Sequence, residues 1–509
     1  MANFHLGLDF GTSQSKVCLL NTVSEEREFI VFKNSSFYLP TLITQTKQNK
    51  FVYGDEQALG IKYRYFKMAA AEDDDLIQVT KENFRGDKLT SKQIDDFRRY
   101  NESYDIKPEV LSILYLTYVL LFVKNEKDVK RAAKITSGGL MGRFAKEKNE
   151  VEKTFSIKMG IPTEWHNPKH LKRKIKFETI LIVVTELSQN FKSLKEFLNA
   201  DSKSLIELAA KINRKHSVNI ENKNISERKE YIVNLLNGYE LSVFPETAGG
   251  LYYLLQTKRL TPELSPDGKE LSRSEKTRFF ATLDIGAGTS DISILKVVEN
   301  KLDNYLCSES VEIASNNVYS EYADQMWNRS TYSDIKDAEY NYRKNDFDKG
   351  KFDLALSVVK QQLEKVIRKI YFRNHYIPLR AVNDHYANKI REDLSNAEII
   401  IYGGGAYFNK INQGHYMYFQ NTVNPLKQDI NRFFTITGVQ KFIDQVDIKD
   451  AEKVKKEINL LVLALGLSYL PDSADESFFL DESTVNPITH FSSDKEKYFY
   501  YDIQDAVYR

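Results

Sequence analysis

The sequence predicts an α/β protein in which one strand–turn–strand unit occurs twice. The first copy, HLGLDFGTSQSKVCLL, begins at His5, and the second, FFATLDIGAGTSDISILKV, begins at Phe279. In each copy an apolar run leads into an aspartate, then into a short loop of glycine and hydroxyl residues, and then into a second apolar run. Segments with helical patterns alternate with further strand-like runs along the chain. A protein that builds this turn twice, in matching strand contexts, is expected to hold a ligand between the two copies.

Further elements follow in order along the first half of the chain. After the first hairpin come the strand-like runs EFIVFKN and KFVYGDEQALG, and a peripheral insertion is expected at about residues 40–107. Pro108 suits a first helical position, so KPEVLSILYLTYVLLFVKN is predicted to be a helix. TFSIKMGIPTEW reads as a strand, and extra helices are expected at about residues 165–240.

The second half begins after a linker-like segment at residues 261–277, which is rich in Pro, Ser, Gly and charge. The second hairpin follows this segment directly. Three more elements are then predicted: the long helix KFDLALSVVKQQLEKVIRKIYFRNHY, the strand NAEIIIYGGGAYF and the small-residue helix EKVKKEINLLVLALGLSYL. The residues beyond Pro471 show no strong periodicity.

Composition limits the class of protein. The 509 residues give room for two to four domains of about 100–200 residues each. The 72 basic and 71 acidic residues are balanced, which argues against a protein that coats nucleic acid or a membrane surface. The N-terminus lacks a basic segment followed by an apolar core, and the apolar run Leu111–Val123 is shorter than a spanning helix. We therefore expect a cytoplasmic protein in which this run is a buried helix and Cys18 is a buried free thiol.

The two loops have the residue types of a phosphate clamp. Glycine allows backbone amides to approach an anion closely, and threonine and serine hydroxyls add donors. Asp9 and Asp284, one beside each loop, would repel a bare phosphate, so the arrangement requires a cation. Mg²⁺ held through its waters fits, because Mg²⁺ keeps most of its water and takes few carboxylates.

Other glycine motifs fit less well. The chain contains no G-x-x-x-x-G-K-[ST] sequence, which excludes a P-loop. GAGTSD lacks the third glycine of a dinucleotide fingerprint and is followed by a strand pattern. An ordinary β-turn would explain one hairpin alone, but two copies in matching contexts argue against it.

Five segments in order resemble the actin, sugar-kinase and heat-shock-70 ATPase superfamily, with the nucleotide-binding domain of the heat-shock-70 branch the closest. The hairpins resemble the phosphate-1 and phosphate-2 motifs, and FPETAGGLYYLL resembles connect-1. IIIYGGGAYF resembles the adenosine motif, and LVLALGLSYL is similar to connect-2. The resemblance implies a two-lobe actin-like ATPase fold of duplicated ribonuclease-H-like domains with helical insertions. Its lobes would span residues 1–255 and 256–455, followed by a return helix at 456–475 and a tail at 476–509.

The resemblance also implies ATP or ADP with Mg²⁺ as ligands. Asp9 and Asp284 would orient the hydrated Mg²⁺, and Glu246 would act on the attacking water. The residues implied for nucleotide contact are glycines and hydroxyl residues, namely Gly11, Thr12, Ser13, Gly286, Gly288, Thr289, Gly403, Gly404 and Gly405. For Glu246 alone, a carboxylate favouring a helix N-terminus would be the simpler explanation.

Two lysines are candidates for contact with the phosphates. Lys67 lies where the heat-shock-70 branch has its catalytic lysine, and Lys16 lies where actin and plasmid-segregation actin-like proteins have a phosphate-binding lysine. The alternative for each is a solvated lysine at a strand edge.

The chain departs from the heat-shock-70 pattern in three places. Pro245 and Glu246 stand in reversed order, and IASNNVYSEYADQMW replaces a glycine-rich stretch. Because only about 40 residues follow connect-2 in this sequence, we also expect no peptide-binding domain. The expectation is therefore a slow Mg-dependent ATPase that acts as a switch on a protein partner, with no membrane or nucleic-acid ligand. Two alternatives stay open, a polymerising actin-like ATPase and a small-molecule kinase.

Overall fold

The computed structural model describes most of the two hairpin regions and the helices around them. The described residues are 4–32, 36–64, 66–71, 106–125, 155–166, 171–220, 239–257, 276–299, 301–311, 313–328, 398–404, 435–438 and 448–470, with short pieces within 223–231 and 335–362 and at 269. Gly405, the tail at 476–509 and most of the 261–277 segment lie outside them.

The strands and helices are numbered in chain order. The strands are β1 (Phe4–Phe10), β2 (Gln14–Asn21), β3 (Arg27–Phe29), β4 (Leu39–Pro40), β5 (Leu42–Gln45), β6 (Phe51–Tyr53), β7 (Ile61–Arg64), β8 (Phe155–Ile161), β9 (Tyr239–Pro245), β10 (Thr277–Ile285), β11 (Ser290–Val298), β12 (Lys301–Val311), β13 (Glu398–Tyr402) and β14 (Thr435–Gly438). The helices are α1 (Phe66–Ala71), α2 (Pro108–Asn125), α3 (Leu171–Gln189), α4 (Leu194–Asn199), α5 (Ser202–Ile220), α6 (Glu246–Thr257), α7 (Ser315–Trp327) and α8 (Ala451–Tyr469), with a 3₁₀ turn at Thr163–His166.

The two large sheets share one plan. The first has the strand order β3-β2-β1-β8-β9, with β4 also paired to β2, and the second has the order β12-β11-β10-β13-β14. In each, an antiparallel hairpin, β1–β2 or β10–β11, continues into two parallel strands. The described residues therefore form an α/β structure with mixed sheets, and the α/β class is confirmed. Both predicted hairpins are present.

The central helix of the first half is buried on nearly all sides. α2 and α3 are packed together with β1 and β8 in one apolar core, and α4 and α5 cover its outer side. Pro108–Asn125 is the one described helix that is long and apolar enough to cross a membrane, and 78% of its apolar window is buried. Such burial is that of a core helix. The extra helices expected at about residues 165–240 are α3, α4 and α5.

Residues 39–71 contribute to this core as well. β5, β6 and β7 form a three-stranded sheet, and Ile43, Tyr53 and Phe66 from this region are buried in the first core. They belong to the segment expected as a peripheral insertion, of which residues 72–105 lie outside the described part of the chain.

A second core is shared by both sheets. Cys18 of β2, Leu295 of β11 and Tyr402 of β13 are buried in it together with α6 and α8. The Cys18 thiol is free and buried, as the sequence predicts, and burial raises its pKa to about 12.

Helices α6 and α8 cross at two glycines. A Cβ on Gly466 would lie 1.6 Å from the carbonyl oxygen of Gly249, so this approach requires glycine. Two residues earlier in α8, the backbone lies against β1, where a Cβ on Gly7 would be 2.0 Å from the carbonyl oxygen of Ala464. The small residues of both helices therefore set how closely α6 and α8 pack beneath the sheets.

Candidate functional site

The two hairpin turns face each other. A Cβ added to Gly288 in the second turn would lie 3.5 Å from Thr12 Cγ2 in the first. The parallel strands beside each hairpin end at the same place: β9 is followed by Glu246, and β13 by Gly403. Carboxyl ends of neighbouring strands are a common place for ligand sites in α/β sheets.

Between the turns lies a cavity of about 370 Å³. Most of the residues predicted from the sequence line it, namely Asp9, Gly11, Thr12, Ser13, Lys16, Lys67, Glu246, Asp284, Gly286, Thr289, Gly403 and Gly404. Gly288 faces Thr12 but is not among the lining residues. The two hairpins, α1 and the start of α6 thus bring residues that are far apart in the sequence to one cleft.

The first turn is held from behind by Thr41. Its hydroxyl donates to the carbonyl oxygen of Gly11 at 2.8 Å, and its backbone N–H donates to that of Ser13 at 2.8 Å. Ser15 Oγ lies 3.2 Å from Thr41 Oγ1, and both side chains are buried. These bonds fix the backbone of the turn and leave the Thr12 side chain at the cavity.

The second turn is held by its own backbone and by α7. The Gly286 N–H donates to the Thr289 carbonyl oxygen at 2.8 Å. The first residues of α7 donate back to the turn, from Ser315 N to Gly286 O at 3.2 Å and from Asn316 N to Ala287 O at 2.9 Å. Both turns are therefore rigidly placed by hydrogen bonds that the loop sequences do not reveal.

Gly403 has a backbone that only glycine adopts easily. Its φ is +94°, and a Cβ there would lie 2.2 Å from Asp284 Oδ1. A larger residue at this position would displace the Asp284 carboxylate, so the cleft itself requires glycine at position 403.

Both candidate lysines are buried in ion pairs inside the cleft. Lys16 Nζ lies 2.9 Å from Asp9 Oδ2, and Lys67 Nζ lies 2.7 Å from Glu246 Oε1. Lys16 is 8% exposed and Lys67 is 2% exposed, so neither is a solvated lysine at a strand edge. Both ammonium groups are close enough to the turns to share a ligand with them.

A buried carboxylate that the sequence reasoning missed lies beside Asp284, next to the cleft. Asp291 is 1% exposed and is the cross-strand partner of Asp284, whereas the equivalent partner of Asp9 is Lys16. Cross-strand partners share a face of the sheet, so the final Asp of GAGTSD could have been assigned to the cleft from the hairpin pattern. The second hairpin therefore carries two acids where the first carries an acid and a base.

This arrangement leaves an excess of negative charge. Burial raises the pKa of Asp284 well above its usual range, and the charges of Glu246, Asp291 and Asp9 raise it further, while Lys16 opposes them. With all groups ionised, the carboxylates of Asp9, Glu246, Asp284 and Glu339 line the cavity with only two ammonium groups, a net charge of −2, and Asp291 adds to this excess. A divalent cation would neutralise that excess. Among the described residues, no three His, Cys, Asp or Glu side chains form a group that could bind a metal directly.

The remaining wall of the cavity is aromatic and was not predicted. It is lined by Tyr38, Tyr319, Glu339, Tyr342 and two leucines of α8. The rings of Tyr319 and Tyr342 lie 6.0 Å apart in an edge-on arrangement. Tyr319 is one helical turn beyond Ser315, so this wall begins about 6 Å along α7 from the second turn.

No family model matches the chain, and no curated protein matches it.

Proposed function

We propose that this protein binds Mg-ATP in the cleft between its two large sheets and hydrolyses it slowly. The observation that carries the proposal is the pair of opposed glycine–hydroxyl turns over a buried cavity with an excess of carboxylates. The phosphate chain of a nucleotide is bound by amide and hydroxyl donors, and a cation is needed to offset the repulsion between the phosphates and the acidic residues beside them. The turns supply the donors, and the excess of carboxylates favours the binding of a cation.

The fold fits the two-lobe actin-like ATPase superfamily, near its heat-shock-70 branch. Two sheets of the same plan, each beginning with a hairpin, support this assignment. The crossing of α6 and α8 at Gly249 and Gly466 supports it too, because it places a close helix pair beneath both sheets. In this assignment the first sheet belongs to one lobe and the second sheet to the other.

The residues of the cleft would make different contacts with the nucleotide and its metal ion. The backbone and hydroxyls of Thr12, Ser13 and Thr289 would donate to the phosphate oxygens. Lys16 and Lys67 would exchange part of their contact with Asp9 and Glu246 for phosphate oxygens. Mg²⁺, when bound, would supply charge neutralisation, with Asp9 and Asp284 accepting hydrogen bonds from its waters.

Hydrolysis requires a water molecule beside Glu246. The water oxygen would form a bond to the γ-phosphorus as the bond from phosphorus to the β–γ bridging oxygen breaks. Glu246 would accept the water proton, which needs only hydrogen-bond reach. Lys67, which is paired with Glu246, would stabilise the charge on the γ-phosphate.

The role we propose is that of a cytoplasmic switch. ATP would close the two lobes by contacting both turns, and hydrolysis would release them, which changes a surface read by a protein partner. The Lys16–Asp9 pair also supports a second candidate, a polymerising actin-like ATPase, because the lysine at this position is a feature of that branch.

The direct test is Mg-ATP turnover by the purified protein and by Asp284→Ala. Asp337→Ala is the matched control, since Asp337 is an exposed aspartate outside the cavity. We expect turnover to fall by at least about a hundredfold in Asp284→Ala, the effect of losing one preorganised electrostatic contact, and to stay unchanged in the control. Full turnover in Asp284→Ala would show that the proposed site is wrong.

A further inference from the structure

A short hydrogen-bonded connection joins the second hairpin to the first turn of α6. Asp291, two residues after Thr289, accepts a hydrogen bond from the backbone N–H of Thr163 at 3.2 Å. The hydroxyl of Thr163 lies 2.9 Å from that of Thr247, the neighbour of Glu246. The connection thus crosses from one sheet to the other and ends beside Glu246.

The connection is buried along its full length. Asp291, Thr163 and Thr247 are 1%, 1% and 0% exposed. Water has little access to these groups, so breaking one bond would leave a polar atom without its hydrogen bond in the interior. The three residues are therefore held together more strongly than surface groups of the same kind.

Thr163 is hydrogen-bonded to both sides of this connection. It follows β8 and begins a 3₁₀ turn, whose Trp165 N–H donates to Pro162 O at 3.0 Å. The end of β8 also touches Glu246, because a Cβ on Gly160 would lie 3.1 Å from Glu246 Cγ. The backbone N–H of Thr163 bonds to the second sheet, and its side chain bonds to α6.

We infer that Thr163 is a positioning residue that sets the Glu246 carboxylate in register with the second phosphate-binding turn. This inference rests on the proposed function. When the second turn binds the phosphates, Asp291 moves with β11. Because Thr163 is bonded to both Asp291 and Thr247, the first turn of α6 moves with them. Glu246 is then within hydrogen-bond distance of the attacking water only when the second hairpin has bound the phosphates. Hydrolysis is thereby linked to the contact between the two sheets.

The first experiment compares kcat and KM for Mg-ATP in Thr163→Val and Thr163→Ser. Valine has nearly the shape of threonine and keeps the backbone N–H, so only the bond to Thr247 is lost. We expect Thr163→Val to lower kcat by about three- to tenfold, the effect of one neutral buried hydrogen bond, with KM within about twofold. Thr163→Ser keeps the hydroxyl and should return kcat to the level of the parent.

Two further variants serve as controls. Thr185→Val removes a buried hydroxyl that bonds only within its own helix, to Leu181 O at 2.9 Å, and should leave both constants unchanged. Thr247→Val removes the same bond from the other side and should reproduce the kcat loss. It also keeps the test decisive if Thr163→Val does not fold.

The second readout does not depend on hydrolysis. Trp165 lies two residues from Thr163 and the chain has only two tryptophans, so its emission can be isolated in a Trp327→Phe background. Mg-ADP should change this emission in the parent, and the change should be lost in Thr163→Val.

The outcomes separate this inference from the proposed function. If the parent turns over ATP but Thr163→Val has the same kcat, or if only its KM changes, the positioning role is wrong and the proposed function stands. If the parent shows no turnover, hydrolysis is wrong, and the Trp165 response decides: a response lost in Thr163→Val supports the connection, and no response in the parent overturns it.

Discussion

Single side chains determine the charge of the cleft. Asp9 is paired with Lys16, its cross-strand partner in the first hairpin, and Glu246 is paired with Lys67. Asp284 has another acid, Asp291, as its cross-strand partner. A buried acid beside another acid is stable only when one is protonated or a cation is present. The cleft is thus unbalanced on the side of the second hairpin.

This imbalance predicts a pH-dependent stability for the protein without nucleotide or Mg²⁺. Because the folded-state pKa of Asp284 is raised, the folded protein is favoured by protonation, and this stability is lost as pH rises through that pKa. Asp284→Asn removes the titration. The melting temperatures of parent and variant should be similar near pH 4, about the pKa of an unperturbed aspartate, and the variant should become the more stable one toward neutral pH. A difference in melting temperature that does not change with pH would contradict the buried-acid account.

The two lysines give a second prediction. Lys16→Ala and Lys67→Ala should each slow ATP turnover by about tenfold or more, since each removes a charge-assisted contact to phosphate. Lys62→Ala is the control, because Lys62 lies in β7, bonds to Glu56 O and does not line the cavity. If neither Lys16→Ala nor Lys67→Ala slowed turnover, both assignments would be wrong.

Strands and helices place these side chains, and here the sequence predicts some parts better than others. Both hairpins, α2 and the small-residue helix α8 follow from local patterns of apolar, glycine and proline residues. The Thr41 bonds to the first turn do not, because they join residues about thirty positions apart. The wall formed by Tyr319 and Tyr342 depends on packing of α7 against a distant segment, which no local period encodes.

The Thr41 contact gives a prediction about the first turn. Thr41→Val removes the hydroxyl that bonds Gly11 O, so the turn should be less well ordered and KM for Mg-ATP should rise by about three- to tenfold. Thr44→Val is the matched control, three residues further along the chain in β5. Thr44 is fully buried, and its hydroxyl has no hydrogen-bond partner among the described residues. Equal effects of the two substitutions on KM would mean that Thr41 does not position the turn.

Taken together, the two sheets are joined by a shared core, by the α6–α8 crossing and by the residues of one cleft. A ligand that contacts both turns would draw the sheets toward each other, whereas a ligand on one turn would not. The proposed switch depends on this difference, because a ligand shifts a conformational equilibrium only through contacts that differ between the states. The γ-phosphate is the group that ATP has and ADP lacks.

The most direct measurement is sedimentation velocity of the purified protein without nucleotide, with Mg-ADP and with Mg-ATP. The account predicts one discrete small species that sediments slightly faster with Mg-ATP than with Mg-ADP or alone, because closure makes it more compact. An unchanged sedimentation coefficient under all three conditions would contradict the switch. Growth into large, polydisperse species with nucleotide would contradict it as well, and would establish the polymerising alternative in its place.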